Sequence, residues 1–194
     1  LLRFLMPRCD WCGDDPLYVA YHDREWGVPL RDERAMFEFL LLEGVQAGLS
    51  WLTILRKREN YRELFDDFDV QRIASYTDRE LAARLEDPRI IRNRLKVFAA
   101  RSNARATLAL YETGQTLVEY FWSFVDDAPL QNHWRSMSEV PAHTELSTAI
   151  SKDLKKRGFP FVGPPIIYAH TQATGIVNDH IVDCPRHAAC AALA

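Results

Sequence analysis

Residues 145–177 read ELSTAISKDLKKRGFPFVGPPIIYAHTQATGIV, and this stretch predicts two helices joined by a short turn. Leu146, Ala149, Ile150 and Leu154 recur at helical spacing, so Glu145–Arg157 is expected to be a helix with those side chains inward. It ends on Lys155-Lys156-Arg157, cations suited to the negative end of a helix dipole. Gly158 and Gly163 bound the turn, Pro164-Pro165 suits a first helical turn, and an apolar helix is expected over Ile166–Val177. Two readings of the turn fit. One is an ordinary αα-hairpin with a glycine C-cap. The other is a phosphate-binding hairpin, whose glycines let the backbone approach an anion while the next helix offers N–H groups and its positive end. The basic triplet favours the second.

Working outward, helical periods dominate. Arg34–Leu42 is strongly apolar, with Asp32 as its expected N-cap, and Leu49–Leu55 follows as another apolar helix after Gly44 and Gly48. Val70–Leu85 reads as two short amphipathic helices, with Thr77 and Glu80 as a capping box. An element starting at Asp87-Pro88 runs to about Tyr111; one face holds Ile90, Ile91, Leu95, Phe98 and Ala99. The other face is basic: Arg89, Arg92, Arg94, Lys96, Arg101 and Arg105. Alone, such a face is a solvated one. Leu117–Val125 is aromatic-rich and reads as core, and a polar loop spans 126–144. Strand signals are scarce, so the expectation is an all-α domain.

The length of 194 residues suits one domain; 47% hydrophobic and 26% charged residues exclude disorder, and no apolar run could span a membrane. A net charge of -3 argues against a nucleic-acid partner, whereas the basic flank of the hairpin argues for one. Residues 1–7 read as a non-native or flexible extension, with Met6 as the natural start. The domain is expected over 8–186 and a flexible tail over 187–194. Nothing resembles a signal peptide, so a reducing, cytoplasmic compartment is expected.

Cysteines and histidines cluster at both ends. Cys9, Cys12 and His22 stand near the start; His180, Cys184, His187 and Cys190 stand near the end. Four thiolates and imidazoles make a tetrahedral zinc site, and His180 and Cys184 would share a helix face. Small buried residues or free surface thiols explain the same pattern. Spacing alone selects Cys9 and Cys12 as the N-terminal pair.

Longer motifs carry a resemblance. Asp15–Pro29 (DPLYVAYHDREWGVP), Leu42–Trp51 (LEGVQAGLSW), Lys57–Tyr61 (KRENY), Trp122–Val125, Lys155–Gly163 and Val177–His180 (VNDH) run in order. They resemble the 3-methyladenine DNA glycosylase I family. The resemblance implies a helix-hairpin-helix glycosylase fold whose termini are joined by one structural zinc, with Cys9, His22, His180 and Cys184 as ligands. It thereby displaces Cys12. It implies excision of 3-methyladenine from double-stranded alkylated DNA by a monomer, with base flipping, no lyase step and no membrane or protein partner. Glu43 resembles the family's base-reading carboxylate and is the expected catalytic residue. Tyr21 and Trp51 resemble its stacking residues, and Trp11 is expected to close the pocket. Gly48, Leu49 and Ser50 resemble its DNA wedge; Lys155, Lys156, Gly158 and Gly163 are the expected phosphate contacts.

The residues support part of this on their own. A carboxylate in an apolar helix, such as Glu43, is seldom buried without a partner or a task. Tyr21 and Trp51, by contrast, read equally well as core aromatics. Asp179 is not expected to be catalytic and orders the turn before His180. The chain departs from the family pattern at Pro164-Pro165, which removes two N–H donors after the hairpin, and in the tail after Cys184.

Overall fold

Side-chain caps mark where most of the helices begin. In the computed structural model, which describes residues 7–194, Asp15 accepts from the amides of Leu17 and Tyr18 and opens α1 (Pro16–Arg24). Asp32 caps α2 (Glu33–Gln46) and Ser50 caps α3 (Trp51–Leu64). Asp69 caps α4 (Val70–Ala74), and the Thr77–Glu80 box opens α5 (Asp78–Leu85) as expected. Asn93 caps α6 (Arg94–Glu112), and Thr116 with Glu119 boxes α7 (Leu117–Ser123). Thr144 caps α8 (Glu145–Lys156); α9 (Pro164–Ala173) and α10 (Pro185–Ala191) each begin on proline. Each side-chain cap satisfies an otherwise orphaned amide and contributes about 1 kcal/mol.

The chain is all-α apart from a two-residue parallel pairing of β1 (Leu130–Gln131) with β2 (Val177–Asn178). Three helix starts move from their expected places, each for a local reason, and α9 ends at Ala173 rather than Val177, which pairs in β2. The Ser50 hydroxyl accepts from the Thr53 amide, so Leu49 stays outside α3 in the turn. Asn93 rather than Asp87 starts α6. Pro164 and Pro165 occupy the first turn of α9, where the amides they lack have no helical partner anyway.

The central element is α2. Residues 36–45 are buried without a break, so this helix is apolar nearly all round and packs against α3, α6, α7 and α9. Met36, Phe37, Leu40 and Leu42 join Ile54, Phe65, Tyr76 and Trp122 in one core. Tyr120, Phe121 and Trp122 are core residues, in line with their expected role. The final turn of α2 leaves this core and carries the site.

Two expectations concern the ends. The extension expected over 1–7 lies outside the described residues, except for Pro7. The loose tail expected from 187 is instead helical as far as Ala191. Pro185 starts the helix, alanines propagate it, and Cys190 buries its side chain, accepting from an Arg186 guanidinium at 3.5 Å. No described helix is long and apolar enough to cross a membrane.

Candidate active site and metal centre

The two chain ends meet at four buried side chains. Cys9, His22, His180 and Cys184 each offer one ligand atom, all within 4.8 Å of one another. The Cys9 Sγ lies 3.5 Å from His180 Nδ1; the Cys184 Sγ lies 3.6 Å from His22 Nε2 and 3.7 Å from His180 Nδ1. Metal bonds of about 2.0–2.3 Å at tetrahedral angles span edges of about 3.4–3.8 Å, and these three edges match that range. The remaining ring nitrogens point outward to acceptors: His22 Nδ1 to Asp23 Oδ1 at 2.8 Å, and His180 Nε2 to the Trp26 carbonyl at 2.9 Å. Such partners fix which nitrogen faces the centre. Arg8 grips Asp23 and, with help from His22, holds its carboxyl down at about 2.

The two sulfurs influence each other's ionisation. The proximity of the two is the largest influence on both, pushing the Cys9 thiol up and the Cys184 thiol down. Two thiolates this close need a positive charge between them to ionise together. Cys12, the spacing-based choice, is buried outside the group and donates to the Gly13 carbonyl. His187 contacts the Asn132 carbonyl at 2.7 Å and also stands outside it.

An aromatic layer connects this centre to a cavity. The Trp11 ring lies 5.3 Å from His22 and 4.9 Å from Trp26 and Tyr18, and Tyr21 lies 5.7 Å from Trp51. Trp11, Tyr21, Glu43 and Trp51 all line a cavity of about 360 Å³, a usual size for a small-molecule site. Thus α1, α2, α3 and the short turn after Cys9 each supply one wall.

The polar groups that Glu43, Trp11 and Trp51 bring to that cavity's near side lack partners. Glu43 is 4% exposed, and no hydrogen bond to its carboxyl occurs among the described residues. Burial alone raises its carboxyl to about 8, since an ion there loses hydration without compensation. Trp11 Nε1 and Trp51 Nε1 are buried donors with no acceptor. Burial, with Glu43 nearby, pushes the Tyr21 phenol far up, so it stays neutral. Flat aromatic faces and one unpaired acid suit a planar, positively charged ring.

The turn after α2 and the hairpin after α8 flank this cavity. Gly48, Leu49 and Ser50 are exposed. Ser50 is also occupied as the α3 cap, and the Leu49 carbonyl accepts from Gln46 at 2.7 Å. The hairpin has the glycine C-cap of the first reading, and it leaves free the groups that the second would use. Gly158 takes φ +88, and the amides of Gly158 and Phe159 bond the Lys155 and Leu154 carbonyls, which is a glycine C-cap of the Schellman type. Meanwhile the amides of Val162 and Gly163 make no backbone hydrogen bond, and Lys155 and Lys156 are exposed and unpaired among the described residues. Arg157, the third of the triplet, is tied to Asp153 at 2.7 Å.

Hairpin and pocket share the last turn of α2. The Phe161 side chain, in a left-handed backbone (φ +54), rests on Gly44, where an added Cβ would stand 3.2 Å from the Phe161 Cβ. Gly44 therefore lets the hairpin tip sit one residue from Glu43.

The far wall of the cavity was not foreseen in the sequence. It comprises Met137, Val140, Pro141 and Ala142 from the loop, and Pro165, Tyr168, Ala169 and Gln172 from α9. Asp179 organises it. This fully buried carboxylate accepts from Asn132 at 2.6 Å, Trp134 Nε1 at 2.8 Å, Gln172 at 2.8 Å and the Tyr168 hydroxyl. The i, i+4 pair of polar residues on the apolar helix α9, Tyr168 and Gln172, was the available signal.

Comparison with known proteins bears on this geometry. The family model described as methyladenine glycosylase matches residues 11–187. A DNA-3-methyladenine glycosylase 1 from Escherichia coli is 49% identical over 179 residues, covering 92% of this chain and 96% of that protein. A DNA-3-methyladenine glycosylase from Haemophilus influenzae is 46% identical over 178 residues, again covering 92% and 96%. A solved 3-methyladenine DNA glycosylase I superposes with a TM-score of 0.90 at 51% identity, covering 92% of this chain and 98% of that one. The Staphylococcus aureus enzyme, solved to explain 3-methyladenine recognition, has a TM-score of 0.89 at 36% identity and covers 93% and 96%.

Proposed function

The chain belongs to the methyladenine glycosylase family, and we propose that it performs that family's chemistry in the cavity ringed by Tyr21, Glu43 and Trp51. The activity is release of 3-methyladenine from DNA by hydrolysis of the N-glycosyl bond, a step of DNA repair. The observation that carries the site assignment is Glu43, a buried acid without a protein partner on the wall of an aromatic cavity.

An N3-methylated adenine in DNA is cationic and is therefore already an activated leaving group. The enzyme must extrude it and hold it. In this reading Tyr21 and Trp51 take the ring faces, with Trp11 closing the side towards the metal centre. Glu43 accepts from the exocyclic amine. Its carboxyl, held near 8 in the empty pocket, ionises as the cation arrives, because the incoming charge replaces the missing solvation. Water then forms a bond to the sugar C1′ while the glycosidic bond breaks. The electron pair leaves with the base, which departs neutral, and the water's proton passes to solvent. Asp179 takes no part in this step: its two oxygens accept two donors each, which fills their four acceptor sites. The step is read as hydrolysis alone, without a lyase step.

The metal centre is read as one structural zinc. Cys9, His22, His180 and Cys184 would supply four protein ligands, leaving no position for a water nucleophile, so zinc would supply rigidity by joining the termini. Double-stranded alkylated DNA is the partner of a monomeric enzyme. Leu49 of the turn Gly48-Leu49-Ser50 wedges into the gap left by the flipped nucleotide, and Lys155, Lys156 and the backbone of Gly158–Gly163 take the phosphates. Four free cysteines fit a reducing, cytoplasmic compartment.

Base release from methylated duplex DNA tests this reading. Free 3-methyladenine should appear well above the spontaneous background; its absence would overturn the assignment. Elemental analysis of protein purified without added metal should give about one zinc per chain.

A further inference from the structure

The basic stretch that runs from Arg89 into α6 divides into two parts. Arg89 is bonded to Asp87 and Glu63, Arg101 to Asp78 and the Tyr76 carbonyl, and Arg105 to the Ala74 carbonyl. These cations belong to the fold and are not free for a polyanion. Arg92 and Arg94 differ: both are exposed, and neither has an acidic partner among the described residues. Between Arg94 and the rest of the helix stands Leu95. At 72% it is the most exposed large apolar side chain described.

The surroundings of these three residues point to a ligand. A cleft of about 340 Å³ runs from Arg94, Leu95 and Phe98 to Pro160 and Phe161 of the hairpin. The Arg94 guanidinium lies 4.2 Å over the Phe98 ring, which holds it at the rim. Lys96 fixes the position of this first turn. Its Nζ donates to the carbonyls of Val45 at 2.7 Å and Ala47 at 2.6 Å, riveting α6 to the end of α2 immediately before the wedge turn. An exposed leucine beside two unpaired arginines, on a cleft that reaches the hairpin, matches a surface with apolar sugar walls and anionic edges. A DNA minor groove bordered by phosphates has that character.

We propose that the head of α6 is a second DNA-contacting element beside the wedge, with Leu95 against the groove and Arg92 and Arg94 on phosphates. The proposal rests on the glycosylase reading above. Binding to a duplex carrying a tetrahydrofuran abasic analogue, followed by fluorescence anisotropy across a salt series, tests it. Replacing both arginines (Arg92→Ala with Arg94→Ala) should weaken binding about 5- to 20-fold and reduce the slope of log affinity against log salt by about 1–2, as expected for one or two lost phosphate contacts. Leu95→Ala should weaken binding about 3- to 10-fold with the slope unchanged, the mark of an apolar contact. All these variants should bind free 3-methyladenine as the parent does, which shows the pocket to be intact. Parental affinity and slope in both variants would overturn the proposal and leave the patch to a protein partner. Failure of the parent protein itself to release base would instead overturn the glycosylase reading.

Discussion

Two buried carboxylates serve the same cavity from opposite sides, Glu43 lining it and Asp179 standing behind Tyr168 and Gln172 of the far wall, and they have opposite surroundings. Asp179 is fully enclosed and receives four donors from the loop and from α9. Glu43 is nearly as buried and receives none. A third acid, Glu38 of the same helix α2, is paired with Arg58 and Arg62. Burying an ion without partners costs several kcal/mol, so a fold keeps such a group only where something later repays it. Asp179 is part of the architecture. Glu43 has no such partner in the protein, and in the proposed reading a cationic ring with an exocyclic amine supplies it.

The contrast predicts different consequences for the same kind of change. Asp179→Ala strands four donors and should cost about 3–5 kcal/mol of stability, read by urea unfolding. A loss under 1 kcal/mol would mean that water or neighbours satisfy the donors, and the comparison would break. Glu43→Gln should do the reverse and stabilise the protein in a pH-dependent way. Below about pH 4.5 the carboxyl is protonated in both folded and unfolded states, and wild type loses nothing. As pH rises towards 8 the unfolded chain ionises freely while the folded site resists. The advantage of the glutamine variant should therefore grow across that window by about 2–4 kcal/mol and level off above it. Thermal melts between pH 5 and 9 measure this, and parallel curves for the two proteins would contradict it.

Smaller effects sharpen the comparison. The same Glu43→Gln change should lower base release about 100-fold, the loss expected when a buried cation meets a neutral partner. Single-turnover assays on methylated duplex would show it. Gly44→Ala tests whether the hairpin depends on the helix that carries Glu43. Alanine gains up to about 1 kcal/mol of helix propensity but presses on Phe161, so stability should change little while duplex affinity falls about 3- to 10-fold. Binding of free 3-methyladenine should persist.

Much of this arrangement was legible in the residues, for identifiable reasons. Caps and periods are local, so Asp32, the Thr77–Glu80 box and the two helices around the hairpin follow from neighbours in sequence. Ser50 shows the limit: it serves as a cap and ends an apolar run that looks continuous from Leu49. Non-local features were not legible. The partners of Arg89, Arg101 and Arg105 come from other elements, so a stripe of charge gave no sign of which cations were already bonded. The β1–β2 pairing joins residues 47 positions apart over only two rungs. The choice between Cys9 and Cys12 depends on the single 3₁₀ turn Asp10–Cys12, which spacing cannot orient. Within the site, Tyr21, Glu43 and Trp51 stand in motifs, whereas the role of Asp179 depends on donors from a loop and a helix that the sequence separates.

The central claim is that Glu43 is a buried acid left unpaired for its ligand. Carbon-13 NMR of the Glu43 side-chain carboxyl in the ligand-free protein tests it most directly. The titration midpoint should lie near 8. A midpoint in the ordinary carboxylate range, near 4.5, would show that the fold already solvates or pairs this group, and the account of base capture would fail.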